Sequence, residues 1–136
     1  MLVVLDTNGL VSGLLKAHSA PREIVRLVAY NYIQLAYDAR IINEYREVMN
    51  RPRFGFEPGD IEALIDQIKD KGTLVSGTFI NGNLPDPSDK PFIEVAMSTK
   101  KRTLITGNKK HFPENVCSNL TVLEPSEFME VYRKML

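Results

Sequence analysis

The sequence predicts an α/β fold in which a mainly parallel central sheet is covered by helices in a three-layer α/β/α arrangement. Three observations predict it. Short apolar runs suited to strands buried on both faces, Leu2–Leu5 first among them, alternate with longer stretches of helical periodicity. Turn formers and helix caps separate the two kinds of segment at most boundaries. No internal repeat, low-complexity stretch or linker interrupts the pattern, so residues 1–136 read as a single domain, long enough to bury a real core.

The elements follow in order. Leu2-Val3-Val4-Leu5 is the first strand, and a short helix runs from Gly9 to Lys16. Pro21 opens a second helix, with Ile24, Val25, Leu27 and Val28 on its apolar face. Ile33, Leu35 and Tyr37 alternate with Gln34 and Ala36, the period of a strand over 32–37. Asp38 is an N-cap for a helix carrying Ile41, Ile42, Tyr45, Val48 and Met49. That helix stops before Pro52, because the residue preceding proline avoids the α region. Arg51 to Phe56 is a loop; Ile61, Leu64, Ile65 and Ile68 then mark a helix that Gly72 ends. Thr73 to Ile80 is a weaker strand interrupted by Gly77, and 81–91 is the densest turn composition in the chain. An apolar helix containing Phe92, Ile93, Val95, Ala96 and Met97 follows, then strands at 103–106 and 120–123 and a closing helix from Ser126.

Composition narrows the function. Apolar residues make up 43% and charged residues 25%, which is ordinary for a globular protein. Lys plus Arg and Asp plus Glu balance at 17 each, so any nucleic acid must be met by a local basic patch or through bridging cations. Two histidines and the single Cys117 argue against a structural zinc site, and one cysteine excludes an internal disulfide. No apolar stretch has the length of a membrane span and the N-terminus lacks a basic leader, so a soluble cytoplasmic protein is expected.

The acids carry the chemistry. Asp6 ends the first strand, at the carboxyl edge where open α/β sheets bind ligands. A carboxylate there is solvated, hydrogen-bonded or paired with a cation, since burying it bare costs several kcal/mol. Two roles are open to it: cap of the following helix, or metal ligand. Glu44 lies beside Ile41 and Val48 on the border of its helix's apolar stripe, whereas Glu47 faces solvent. A border glutamate is ordinary on an amphipathic helix, and it is also able to turn into a crevice. Asp86 and Asp89 bracket Pro87-Ser88 just before a helix, where aspartate is favoured as turn and cap residue; one of the two is expected to serve that purpose. Thr106-Gly107-Asn108 repeats at a second strand end the small and polar residues that follow Asp6. Carboxylates gathered around one pocket repel each other unless cations are present, and oxygen donors without His or Cys select Mg²⁺ or Mn²⁺. Such ions stabilise phosphodiester hydrolysis.

Taken together these segments resemble the PIN-domain proteins, of the kind found as the VapC-like ribonuclease toxins of bacterial and archaeal toxin–antitoxin pairs. The resemblance runs along essentially the whole chain. It rests on Val4-Leu5-Asp6-Thr7-Asn8, Glu44-Tyr45-Arg46-Glu47-Val48, Asp86-Pro87-Ser88-Asp89 ahead of Phe92, Thr106-Gly107-Asn108 and Pro125-Ser126-Glu127-Phe128. It implies that Asp6, Glu44 and Asp89 are the principal catalytic, Mg²⁺- or Mn²⁺-binding acids. It implies supporting roles for Thr7, Asn8 and Thr106, with Asp86 as a further acid nearby. Asn108 stands where many members have a fourth aspartate; its amide offers an oxygen but no charge, which weakens a second metal site. The resemblance further implies an RNA substrate, a homodimer and a small antitoxin partner.

Among the basic residues, Lys109 and Lys110 leave the carboxyl end of their strand and are placed for RNA phosphates, whereas Lys100-Lys101-Arg102 belongs to the opposite edge. Arg51 and Arg53 follow the Glu44 helix, and His111 with Phe112 suits either base stacking or a packed loop. Two other functions compete. A degenerate PIN domain would bind RNA or protein without cleavage. A haloacid-dehalogenase-type phosphatase shares the Leu5-Asp6-Thr7-Asn8-Gly9 opening, but Asn8 cannot supply that family's second acid.

Overall fold

The computed structural model describes residues 1–136. Strands β1 (Leu2–Leu5), β2 (Gln34–Tyr37), β3 (Thr73–Leu74), β4 (Thr103–Ile105) and β5 (Thr121–Leu123) form one sheet in the order β3-β2-β1-β4-β5, with every neighbouring pair parallel. Helices α1 (Thr7–Leu15), α2 (Ala20–Ala29), α3 (Ala39–Met49), α4 (Pro58–Lys71), α5 (Lys90–Met97), α6 (Glu114–Cys117) and α7 (Pro125–Lys134) complete a three-layer α/β/α fold.

Strand order runs outward from β1 in both directions, so the chain reverses its progress between β3 and β4. Right-handed crossovers therefore put α1, α2 and α4 on one face and α5 on the other, while α3 crosses the carboxyl end of β1 and touches both α1 and α5. The crevice between the carboxyl ends of β1 and β4 is the topological switch point of the sheet. Val3, Val4, Leu5, Leu104 and Ile105 are at most 1% exposed, as expected of central strands covered on both faces. Each such side chain contributes about 1.5–3 kcal/mol relative to leaving it in water.

Local chemistry explains most boundaries. Asp6 caps α1, and its Oδ1 accepts from Gly9 N at 2.8 Å, which lets the helix begin at Thr7, before the expected Gly9. Ser19 and Asp38 cap α2 and α3 through Arg22 N and Ile41 N. Arg51–Phe54 is ordered as a 3₁₀ turn over Pro52–Phe54, closed by Gly55 at φ 67°, a left-handed conformation that suits glycine.

The third strand departs from expectation. It is two residues long, and 75–86 leaves the sheet edge without regular structure. Val75 N still bonds Tyr37 O, but Thr78 N turns to Glu94 O and Ile80 N to the Glu94 carboxylate. Buried Glu94 is held in turn by Arg40 at 2.7 Å, and a Cβ on Gly77 would lie 3.0 Å from that guanidinium. Val75 and Ile80 therefore pack on the core without pairing in the sheet beyond Leu74, and Phe79 stays exposed. The single-turn α6 has no counterpart in the sequence expectations.

Candidate acidic site at the switch point

Register brings the site together. Leu5 pairs with Ile105, so the next residues, Asp6 and Thr106, leave adjacent strand ends at the same level. Thr106 Oγ1 donates to Asp6 Oδ2 at 2.5 Å, and Asn108 N donates to Thr106 Oγ1 at 3.0 Å. Asp6, 4% exposed, thus has one oxygen on its own helix and the other on a neighbouring strand. Both roles weighed for it begin from this geometry: it is a helix cap, and it also faces a pocket.

Helix α3 supplies the second acid. Tyr45 is fully buried beside Phe92, and its hydroxyl donates to Leu5 O at 2.5 Å, tying α3 to the end of β1. The neighbouring Glu44 is thereby turned inward, where its Oε2 accepts from Thr7 Oγ1. Glu47 points away and binds Arg51 at 3.0 Å. Asp86 is the acid that serves the turn, accepting from Ser88 N and Ser88 Oγ. That leaves Asp89 free at the start of α5, with no capping bond.

Asp6, Thr7, Asn8, Glu44, Asp86 and Asp89 line one cavity of about 160 Å³. Arg51, Arg53, Phe54 and His111 share its wall. Asp89 Oδ2 is the one enclosed side-chain oxygen of the protein that accepts no hydrogen bond. His111 Nδ1 stands 3.2 Å from it, outside hydrogen-bond alignment.

The carboxyls are electrostatically loaded. Burial raises Asp6, opposed by the bonds from Thr106 and Gly9 and by the nearby His111. Burial likewise raises Glu44, against the Thr7 bond, with Asp86 and Asp6 adding repulsion. Asp89 is pushed up to about 6 by burial and then by Asp86, with His111 opposing and Glu44 and Asp6 adding to the rise. Asp86 moves the other way because Ser88 holds its charged form. The surplus negative charge calls for a cation. No three His, Cys, Asp or Glu side chains converge tightly enough to cage one unaided. This open, all-oxygen arrangement fits Mg²⁺ or Mn²⁺, since Mg²⁺ binds through one or two carboxylates while keeping water and substrate oxygens.

Other expected residues lie elsewhere. Asn108 does not line the cavity, and its contribution is the backbone N–H that holds Thr106. Lys109 is turned to Glu127 on α7, Nζ to Oε1 2.7 Å, and Lys110 is exposed and unpaired. The cations that reach the pocket are Arg51 and Arg53, already conspicuous as the pair after α3, and the His111 ring lines it beside them. The position of His111 just beyond the β4 end was the available signal for its place there.

Fold and site together define a doubly wound α/β protein with an acid-lined pocket at its topological switch point. The PIN domain family matches residues 2–110, and the chain belongs to that family. No curated protein matches the sequence. In the solved structure of VapBC2 from Rickettsia felis bound to a DNA fragment from their promoter, one chain has the same fold. The TM-score is 0.56 at 17% identity, over 91% of this chain and 98% of that one.

Proposed function

We propose that this single-domain protein is a metal-dependent endoribonuclease and the toxin of a toxin–antitoxin pair. The observation that carries this reading is the enclosed, unbonded Oδ2 of Asp89 in a cavity shared with three other carboxylates. Asp6, Glu44 and Asp89 would hold Mg²⁺ or Mn²⁺. When bound, such an ion supplies charge stabilisation for the attacking and leaving oxygens of a phosphodiester. The chain's own groups do the rest. Thr106 and Gly9 N orient Asp6, and Thr7 orients Glu44. Asn8 and Asp86 complete the polar wall, and the Asn108 N–H keeps Thr106 aimed at Asp6. Arg51 and Arg53 offer positive charge to the RNA backbone, with Lys110 as an outer contact.

The likeness to a VapBC2 chain supports an antitoxin partner. So does an apolar groove of about 440 Å³ beside the pocket, lined by Leu14, Val25, Met49, Phe56, Ile61 and Leu64. A homodimer is supported by the balanced net charge, which does not repel a second copy, and by exposed Tyr30, Tyr32, Leu74 and Phe79. No helix is long and apolar enough to cross a membrane, which supports a cytoplasmic site of action.

The test is cleavage of single-stranded RNA with Mg²⁺ or Mn²⁺, comparing the wild type with Asp6→Asn and Asp89→Asn. Metal-dependent cutting that both variants lose is the expected result. Cutting that survives either substitution, or that ignores EDTA, removes the reading. A binding-only PIN domain is the second reading, favoured by Asn108 and by acids that do not close a cage unaided; RNA binding by the wild type without cleavage would establish it.

A further inference from the structure

The 3₁₀ turn after α3 puts two features on the pocket wall that the acids do not use. The first is positive charge. Arg51 is held by Glu47, outside the pocket, while Arg53 forms no ion pair, although both line a cavity with four carboxylates. The second is an aromatic stack. The Arg53 guanidinium lies 4.8 Å from the centre of the Phe54 ring, which is stacked on Phe56 at 5.8 Å with an interplanar angle of 17°. Arg53 is exposed and Phe54 half-buried, so one edge of the stack is open to the pocket and the other is anchored on the core.

The backbone keeps this lip in place. Pro52 presets the turn, Phe54 N bonds Arg51 O, and Gly55 N bonds Pro52 O, each at 3.1 Å. Gly55 takes the left-handed conformation that an L side chain would strain. Arg53 covers one face of Phe54 and Phe56 packs on the other, so a base reaches the ring only when the exposed guanidinium swings off it. A guanidinium drawn to a phosphate uncovers that face for the base beside it. Any base can stack on such a face, and stacking requires a strand that is not paired.

We propose that Arg53 and Phe54 form a nucleotide platform that binds single-stranded RNA beside the acid pocket: Arg53 swings off the ring to take a phosphate, and the face of Phe54 it uncovers takes the adjoining base. The platform rests on the ribonuclease reading for its substrate, and it reassigns the principal backbone contact from Lys109, which Glu127 engages, to the turn after Glu44.

The test separates the platform from the chemistry. Binding of a short fluorescein-labelled single-stranded RNA is measured by anisotropy with Mn²⁺ in an Asp89→Asn background, where cutting is disabled. Adding Arg53→Gln or Phe54→Leu should each weaken binding about tenfold, the scale of one base stack or one phosphate contact. Arg53→Gln should also lower the slope of log affinity against log salt by about one contact's worth. Phe54→Tyr should bind as the parent does, which guards against a folding effect at this half-buried position. A ribose-phosphate strand lacking bases should respond to Arg53→Gln but not to Phe54→Leu. Affinities within twofold of the parent for both variants, or equal loss of the base-free strand on Phe54→Leu, overturn the platform. Absence of cutting by the wild type, with these binding effects intact, would remove the nuclease reading and leave the platform standing.

Discussion

Thr106 and Asp6 stand one hundred positions apart in the chain, yet the Thr106 hydroxyl donates to Asp6 Oδ2 at 2.5 Å, with the threonine fully buried and the aspartate nearly so. That bond joins the carboxyl ends of β1 and β4 across the switch point. It also opposes the rise that burial imposes on Asp6.

Thr106→Val keeps the shape and deletes the bond, and Asn108 N loses its acceptor as well. The loss should cost about 1–3 kcal/mol, the usual penalty for leaving a buried polar partner unmatched. Urea denaturation reads the stability. Mn²⁺ titration of the same variant should show weaker binding, because Asp6 is both more easily protonated and less well aimed. Wild-type values in both measurements would show that the contact is idle.

Asp89 gives a pH dependence whose sign follows from its shift. In the folded protein without metal it titrates at about 6, against 3.8 ordinarily, so the folded state holds its proton more tightly than the unfolded chain. The protein is then free of this strain below about pH 4 and loses stability as pH rises through about 6. Asp89→Asn should flatten that decline and raise Tm at pH 7 by about 2–5 °C, while abolishing metal-dependent cleavage. Thermal scans across pH in EDTA decide it, and a variant that melts below the wild type at pH 7 contradicts the assignment.

Metal binding should be linked to folding without being required for it. Mn²⁺ at one hundred times its dissociation constant should stabilise the wild type by about 2.7 kcal/mol, and EDTA should return the protein to its metal-free Tm without unfolding it. The apolar core does not depend on an ion. Circular dichroism that collapses on chelation would make the metal structural instead.

Tyr45 is expected to position Glu44 through its helix. Tyr45→Phe removes the bond to Leu5 O but leaves the ring packed on Phe92. The change should cost about 1 kcal/mol in stability and lower Mn²⁺ affinity more than an exposed substitution such as Glu47→Gln does. Equal metal affinity in the two variants would confine Tyr45 to the core.

At the β4 end, Asn108→Ala should change cleavage by no more than about twofold, because the backbone N–H remains. Lys109→Ala should leave stability nearly unchanged, since its bridge to Glu127 is exposed to solvent. Tenfold loss of cleavage in Asn108→Ala would bring its amide into the site after all.

Much of this protein was legible before folding. Apolar periodicity placed the strands at 2–5, 103–106 and 120–123 and the four long amphipathic helices near their observed limits. It failed over 73–80 because scattered apolar residues such as Val75, Phe79 and Ile80, interrupted by Gly77, look the same whether a chain pairs with a strand or drapes over a helix. Buried Glu94, bound to Thr78 and Ile80, made that choice.

The residue types at the β1 end and before α5, with Glu44 on the border of the apolar stripe of α3, by themselves marked Asp6, Glu44, Asp86 and Asp89 as candidate ligands for a hard cation, because a carboxylate's affinity for such ions is a local chemical property. Tertiary structure alone decided the company those acids keep. It paired Asp6 with Thr106, faced Asp89 with His111, brought Arg53 and Phe54 to the pocket, and drew Lys109 away to Glu127. These partners meet only after the order β3-β2-β1-β4-β5 is set. That order is selected by burial summed over the whole sheet, and no local stretch of sequence carries that sum.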